Sequence, residues 1–138
     1  MRKSKNKADH APVVAPYPKF KRMYALIDCN NFFVSCERIF RPDLAHVPVA
    51  VMSNNDGCII ARSQEVKDLG VPMGAPVFKY RQALEKQGVT LFSANFSLYG
   101  DISNRVLALL GQFPADIEIY SIDEAFLKIG RAHVWTPV

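Results

Sequence analysis

Three carboxylates in this sequence lie at the predicted ends of apolar strands. Asp123 and Glu124 are adjacent in YSIDEAF, residues 120–126, and Asp28 ends the apolar run MYALID far earlier in the chain. Neighbouring residues on a strand point to opposite faces, so the adjacent pair can share one target only if the backbone bends between them. Three carboxylates gathered in one place repel one another unless a hard cation lies between them.

The chemistry that such a trio favours is metal-assisted phosphoryl transfer. Two Mg²⁺ ions held about 3.5–4 Å apart activate an attacking hydroxyl and stabilise a leaving pyrophosphate. Magnesium takes oxygen ligands and accepts few of them from protein, which leaves positions for substrate phosphates. The alternative is structural: Asp123 and Glu124 form a solvated turn, and Asp28 caps a helix.

Composition indicates an ordinary globular domain. Of the 138 residues, 49% are apolar and 22% are charged, which is typical of such domains. No apolar run approaches the ~18 residues that a membrane span needs, and no signal peptide opens the chain. We therefore expect a cytoplasmic protein without membrane contacts. The three cysteines lack C-x-x-C spacing, which indicates reduced thiols and not a disulfide framework or zinc site.

The net charge of +4 comes from the start of the chain. Residues 1–22 hold seven basic side chains and one acidic one (7 − 1 = +6), whereas the remaining residues hold ten and twelve (10 − 12 = −2). We interpret residues 1–22 as a flexible basic extension, with Met23 as a candidate start. The globular part by itself gives no electrostatic argument for DNA binding.

Hydrophobic patterns predict an α/β (α+β) domain. The predicted strands are MYALIDC, VPVAVM, CIIAR, VTLFSAN, DIEIYSI and AFLKI, and the predicted helices are NNFFVSCERIF, SQEVKDLG, VFKYRQALEKQG and SLYGDISNRVLALLGQF. The SNNDG segment favours a tight hairpin turn between the second and third strands.

Caps and helix faces follow from the same patterns. Asn30 or Asn31 is predicted to cap the first helix, and Ser63 is predicted to cap the second. Gly100 is predicted to weaken the fourth helix. The face that this helix is expected to bury consists of Leu98, Ile102, Arg105, Val106, Leu109 and Leu110.

Four segments, in this order and spacing, closely resemble one enzyme family. They are LIDCNNFFVSCE, SNNDGCIIARSQEVKDLGVPMG, FSANFSLYGDISNRV and IEIYSIDEAF. Together they resemble the opening of UmuC-like Y-family translesion DNA polymerases, the family of the catalytic subunit of bacterial DNA polymerase V. The resemblance implies a palm sheet with helices on one face and a small fingers subdomain, truncated at its C-terminal side. It places the palm at 23–40 and 88–130 and the fingers at about 41–87, and it leaves 131–138 as a tail outside the family pattern.

The resemblance also implies a catalytic metal site. Asp28, Asp123 and Glu124 would be the catalytic carboxylates and would bind two Mg²⁺ ions, with the backbone carbonyl of Cys29 as a further ligand.

Nucleotide contacts are implied at four other positions. Phe33 would be the steric gate, whose ring leaves no room for a ribose 2′-hydroxyl, and Phe32 would lie beside it and pack into the core. Lys67 and Gln64 would contact the triphosphate from the fingers helix, although Gln64 stands where the family commonly has Tyr. Small residues near Ile60 would form an open floor beside the templating base.

The implied activity is error-prone translesion synthesis in the SOS response by two-metal nucleotidyl transfer. The implied partners are primer–template DNA, a deoxynucleoside triphosphate (dNTP), a UmuD′-like subunit, a RecA-type filament and the sliding clamp. Because the thumb and little finger are expected to be missing, we predict that the 138-residue chain binds Mg²⁺ and nucleotide weakly at best and extends no primer. Two alternatives stay open: a non-catalytic truncated remnant, and a phosphotransferase with Asp28 as nucleophile, for which Asn30 replaces the usual second Asp.

Overall fold

The computed structural model describes residues 23–113 and 115–129. The predicted basic extension at 1–22 and the predicted tail at 131–138 lie outside the described residues. No helix in the described part of the chain is long and apolar enough to span a membrane.

Strands and helices alternate along the described residues in the predicted order. The strands are β1 (Met23–Asp28), β2 (Val49–Met52), β3 (Ile59–Arg62), β4 (Thr90–Ser93), β5 (Ala115–Ile119) and β6 (Glu124–Ile129). The helices are α1 (Phe32–Phe40), α2 (Gln64–Asp68), α3 (Val77–Lys86) and α4 (Phe96–Leu110), with a short 3-10 helix at Pro42–Leu44. Glu124 is the first residue of β6, one residue earlier than the apolar pattern predicts.

The strands form two three-stranded sheets. One sheet has the order β1-β6-β5 and is antiparallel throughout; the other has the order β3-β2-β4. In the second sheet β2 and β3 form the predicted antiparallel hairpin, while β2 and β4 are parallel. A parallel pair needs a long crossover connection, which β3, α2 and α3 supply here. The predicted α/β (α+β) class is confirmed.

Two apolar clusters meet at β2, and all four residues of this strand are buried. Val49 and Val51 point into a cluster with α1 and α4, whereas Ala50 and Met52 point into a cluster with α2 and α3. A strand covered on both faces reads as a continuous apolar run, which explains the sequence VAVM. The strand therefore joins the helices of both halves into one core.

The predicted N-caps have different outcomes. Ser63 caps α2, because its side-chain oxygen accepts from the backbone N–H of Val66. Asn31 occupies the predicted N-cap position of α1, although its side chain makes no capping bond. Its backbone is left-handed, with φ 48° and ψ 46°, and this conformation turns the side chain toward another partner.

The predicted face of α4 is partly wrong. The helix continues through Gly100, and both Arg105 and Leu109 are exposed. Tyr99 and Ser103 are buried in their place. Both residues make polar contacts that hydrophobic periodicity does not predict. The Tyr99 hydroxyl donates to Glu37 on α1, and the Ser103 hydroxyl donates to the backbone carbonyl of Ile122, after β5.

Replacement of Ser63 by alanine tests the junction between β2 and α2. Ser63 is fully buried, and its hydroxyl oxygen accepts from Val49 N at 3.1 Å and from Val66 N at 3.5 Å. We expect Ser63→Ala to lower the free energy of unfolding by about 1–3 kcal/mol, because it removes a cap and leaves a buried N–H unpaired. Urea unfolding followed by circular dichroism measures the change.

The matched control is Ser97→Ala, at an exposed position in the first turn of α4. It should change the free energy of unfolding by less than about 0.5 kcal/mol. Equal effects of the two substitutions would contradict a structural role for Ser63.

Candidate active site

The register between β1 and β6 brings the predicted acidic residues to one corner. Asp28 is the direct partner of Glu124 in this antiparallel ladder, and directly opposite residues point to the same face of a sheet. The next rung is a bond from Cys29 N to the carbonyl oxygen of Asp123, at 2.9 Å. Residues far apart in the sequence thus lie side by side at the end of the ladder.

A tight turn between β5 and β6 lets Asp123 and Glu124 face a common group. The backbone N–H groups of Tyr120 and Ser121 both donate to the Glu124 carbonyl, at 3.0 and 3.1 Å. The Ser121 hydroxyl lies 2.9 Å from Asp123 Oδ1 and 3.1 Å from Glu124 Oε2. This single hydroxyl therefore serves two carboxylates, which requires the backbone bend expected between them.

Two serines in this region were missed by sequence reasoning. Ser121 belongs to the SIDE segment, and its place two residues before Asp123 was the available signal. Ser103 is buried on α4 and donates to the carbonyl of Ile122, which ties the turn to the helix beneath it. A serine on the buried face of an amphipathic helix was the signal for this contact.

A cavity of about 300 Å³ opens beside this corner. Its lining comes from the end of β1, the β1–α1 connection, the start of α1, β3, α2, the loop after α2 and the β5–β6 turn. The lining residues are Asp28, Cys29, Asn30, Asn31, Phe32, Phe33, Ile60, Ala61, Arg62, Lys67, Met73 and Asp123. Six of the eight residues predicted for the site therefore share one cavity.

Glu124 and Gln64 are the two predicted site residues that do not line it. Glu124 lies behind Asp123, against a small cleft next to α4. Gln64 is exposed at the start of α2, and its amide donates to Asp68 Oδ1 at 2.8 Å. The structure thus places Gln64 on a solvated helix face, one turn from its partner.

Oxygen donors dominate the acidic corner. Burial, followed by the nearby carboxylates of Asp123 and Asp28, raises the pKa of the Cys29 thiol. A thiol that stays protonated is a poor metal ligand, so this corner offers carboxylate and backbone oxygens, the donors that Mg²⁺ prefers. This donor set fits magnesium. Within residues 23–113 and 115–129, however, no three acidic, Cys or His side chains are close enough to form a complete metal centre.

An aromatic stack positions Phe33 at the cavity. Its ring lies 4.5 Å from that of Tyr99, at an interplanar angle of 16°, and meets Phe96 edge-on at 5.8 Å. Tyr99 is fully buried and donates to Glu37 Oε1 at 2.7 Å; burial and this bond raise the pKa of its hydroxyl. Phe32, only 5% exposed, packs into the core as expected.

Two cations line the same cavity as the acids. The Lys67 ammonium donates to Asn31 Oδ1 at 2.8 Å, which joins α2 to the start of α1. Arg62 also lines the cavity and donates to the carbonyl of Val71. Sequence reasoning missed Arg62, although its place at the end of CIIAR, just before the cap of α2, was a usable signal. A cavity with acids and cations suits a ligand that carries both phosphate and a divalent metal.

Comparison with known proteins yields consistent matches. The profile of the IMS family, described as impB/mucB/samB, matches residues 27–135. A protein named UmuC from Salmonella typhimurium (strain LT2) is 54% identical over 107 residues, which are 78% of this chain and 25% of that protein. A DNA polymerase IV from Corynebacterium diphtheriae is 31% identical over 103 residues, or 74% of this chain and 23% of that one.

Solved structures match in fold. The crystal structure of DinB from Sulfolobus solfataricus aligns with a TM-score of 0.70 at 28% identity, covering 77% of this chain and 31% of that chain. The chain spans about a quarter of the length of the curated relatives it matches. Since the family profile covers most of the sequence and the fold is that of Y-family DNA polymerases, this chain belongs to the impB/mucB/samB family, as its resemblance to UmuC-like polymerases predicted.

Proposed function

We propose that this chain is the nucleotide- and metal-binding portion of a translesion DNA polymerase. The observation that carries the proposal is the pairing of Asp28 with Glu124, which brings the predicted carboxylates to one corner beside a cavity that Lys67 and Phe33 also line. The name of one relative, a DNA polymerase IV, supports a polymerase. This family membership favours nucleotidyl transfer over the alternative in which Asp28 acts as the nucleophile of a phosphotransferase.

The proposed palm consists of 23–40 and 88–130, and the proposed fingers of about 41–87. The β1-β6-β5 sheet falls wholly within the palm ranges, and the β2–β3 hairpin falls within the fingers. β4 pairs with β2. β4 therefore belongs to the same sheet as the β2–β3 hairpin, although its sequence position lies in the proposed palm range. The cavity lies where these two parts meet.

Two Mg²⁺ ions would be held by the carboxylates of Asp28, Asp123 and Glu124 and by the backbone carbonyl of Cys29. When bound, these ions would supply Lewis-acid activation of a hydroxyl and neutralise charge on phosphate oxygens. The Ser121 hydroxyl can donate to Asp123 or to Glu124, because it lies within hydrogen-bonding distance of both. The hydrogen bond from Cys29 N fixes the backbone of Asp123 beside Asp28.

The remaining residues would select and orient the nucleotide. Lys67 would place a positive charge against the triphosphate, and Gln64 would need to leave Asp68 to reach the same group. Phe33, held by its stack on Tyr99, would exclude a ribose 2′-hydroxyl by steric contact. Phe32 would support this ring from the core.

The whole-protein role that we propose is error-prone synthesis across damaged DNA in the SOS response. Its partners would be primer–template DNA, a dNTP, a UmuD′-like subunit, a RecA-type filament and the sliding clamp, in the cytoplasm. The similarity to UmuC supports this role. Because the chain spans about a quarter of such relatives, we expect at best weak nucleotide and metal binding from it, without primer extension. A non-catalytic protein that only binds partners is the competing hypothesis.

Loss of a single carboxylate tests the metal site. We expect Asp28→Asn and Asp123→Asn each to weaken Mn²⁺ binding by at least about tenfold, because each removes a charged oxygen ligand. Neither should lower the free energy of unfolding, since the change relieves repulsion between acids. Electron paramagnetic resonance of free Mn²⁺ measures the affinity of the 138-residue chain.

Asp116→Asn is the matched control, because it makes the same change in net charge. Asp116 is an exposed residue of β5, and its carboxylate lies 3.7 Å from the Lys128 ammonium. Its Mn²⁺ affinity should stay within about twofold of that of the unchanged chain. If all three variants bind Mn²⁺ as the unchanged chain does, the carboxylate corner is not a metal site.

Removal of the Phe33 ring tests sugar selection. We expect Phe33→Ala to reduce the preference for dATP over ATP by about tenfold or more, because the excluded 2′-hydroxyl then has room. Binding is measured by nuclear magnetic resonance titration with Ca²⁺ as a non-reactive cation. The control is Phe78→Ala, at a ring that is 79% exposed on α3. An unchanged preference in Phe33→Ala would remove the steric-gate assignment.

A further inference from the structure

Asn31 has a backbone conformation and a side-chain partner that its place at a helix start does not explain. It precedes α1 with φ 48° and ψ 46°, and its side chain makes no capping bond. Its amide oxygen instead accepts from the Lys67 ammonium at 2.8 Å. These two residues are 36 positions apart in sequence and both line the cavity.

The left-handed conformation narrows the choice of residue at this position. Most residues other than glycine are strained there, and asparagine is among the few that tolerate it. Glycine would meet the backbone requirement with less strain, but it would give Lys67 no partner. The left-handed backbone therefore explains why asparagine is tolerated at this position, but it does not require the amide oxygen that accepts from Lys67.

The chemistry of the acceptor leaves the charge of Lys67 available. An ammonium group has three donors, and Asn31 occupies one of them with a neutral oxygen. Among the residues that the structure describes, Lys67 has no carboxylate within salt-bridge distance. Its side chain is thus directed by a hydrogen bond without being neutralised by an ion pair.

A second contact fixes the helix that carries Lys67. The Arg38 guanidinium on α1 lies 3.2 Å from Glu65 Oε2 on α2 and donates to the Val47 carbonyl at 2.7 Å. With α2 tied to α1 at this point, the Asn31 contact determines the direction of the Lys67 side chain.

We propose that Asn31 is a positioning residue, which holds the Lys67 ammonium at the cavity so that it receives the triphosphate of an incoming nucleotide. This inference rests on the proposed function, in which the cavity binds a nucleotide with its metal. It adds a residue of the β1–α1 connection to the determinants of triphosphate binding.

The test is nuclear magnetic resonance titration of the 138-residue chain with dATP and Ca²⁺. Asn31→Gly keeps the left-handed backbone and removes the oxygen; it should weaken dATP binding by about three- to tenfold, the net effect of one typical hydrogen bond. Asn31→Asp should also weaken it, because a carboxylate neutralises Lys67. Lys67→Ala should weaken it at least as much as Asn31→Gly.

Two comparisons separate positioning from a general structural effect. In the Lys67→Ala background, Asn31→Gly should cause no further loss of dATP affinity, because it acts through the ammonium. Asn54→Gly, at an exposed position in the β2–β3 turn, should bind dATP as the unchanged chain does.

The possible failures are distinguishable. Two outcomes would contradict the positioning role and leave the proposed function standing. In the first, Lys67→Ala weakens dATP binding and Asn31→Gly does not. In the second, Asn31→Gly weakens dATP binding equally in the unchanged chain and in the Lys67→Ala variant. If Lys67→Ala binds dATP as the unchanged chain does, or if the unchanged chain binds none, the triphosphate contact fails and the inference fails with it.

Discussion

The antiparallel pairing of β1 with β6 sets the positions of the acidic residues. A shift of one residue in this register would turn every side chain of β1 to the other face and would separate Asp28 from Glu124. Apolar burial fixes the register, because Ala125 and Leu127 of β6 are buried while Leu26 of β1 is exposed. The geometry of the carboxylates is thus a consequence of which side chains avoid water.

Helix α1 connects this corner to the rest of the site. It begins directly after β1, carries Phe33 at the cavity, and contacts α4 through the bond between Tyr99 and Glu37. It also meets α2 at Asn31 and Arg38. Asp28, Phe33 and Lys67 are therefore all connected to one short element, whose buried residues belong to the core around β2.

The distribution of charge agrees with the family of the chain. Carboxylates come from the β1–β6 corner and cations from β3 and α2, and both line one cavity. A nucleotide with its metal carries both signs and would be complementary to such a cavity.

The sequence by itself determined the order of elements, the α/β class, the family and the chemical types in the site, because periodicity and short motifs are local properties. Tertiary structure decided which of these residues meet. The Asp28–Glu124 register, the Ser103 contact and the cavity position of Arg62 depend on residues distant in sequence. The local pattern likewise predicted the N-cap position of Asn31, but only the tertiary structure showed that its side chain binds a lysine on another helix.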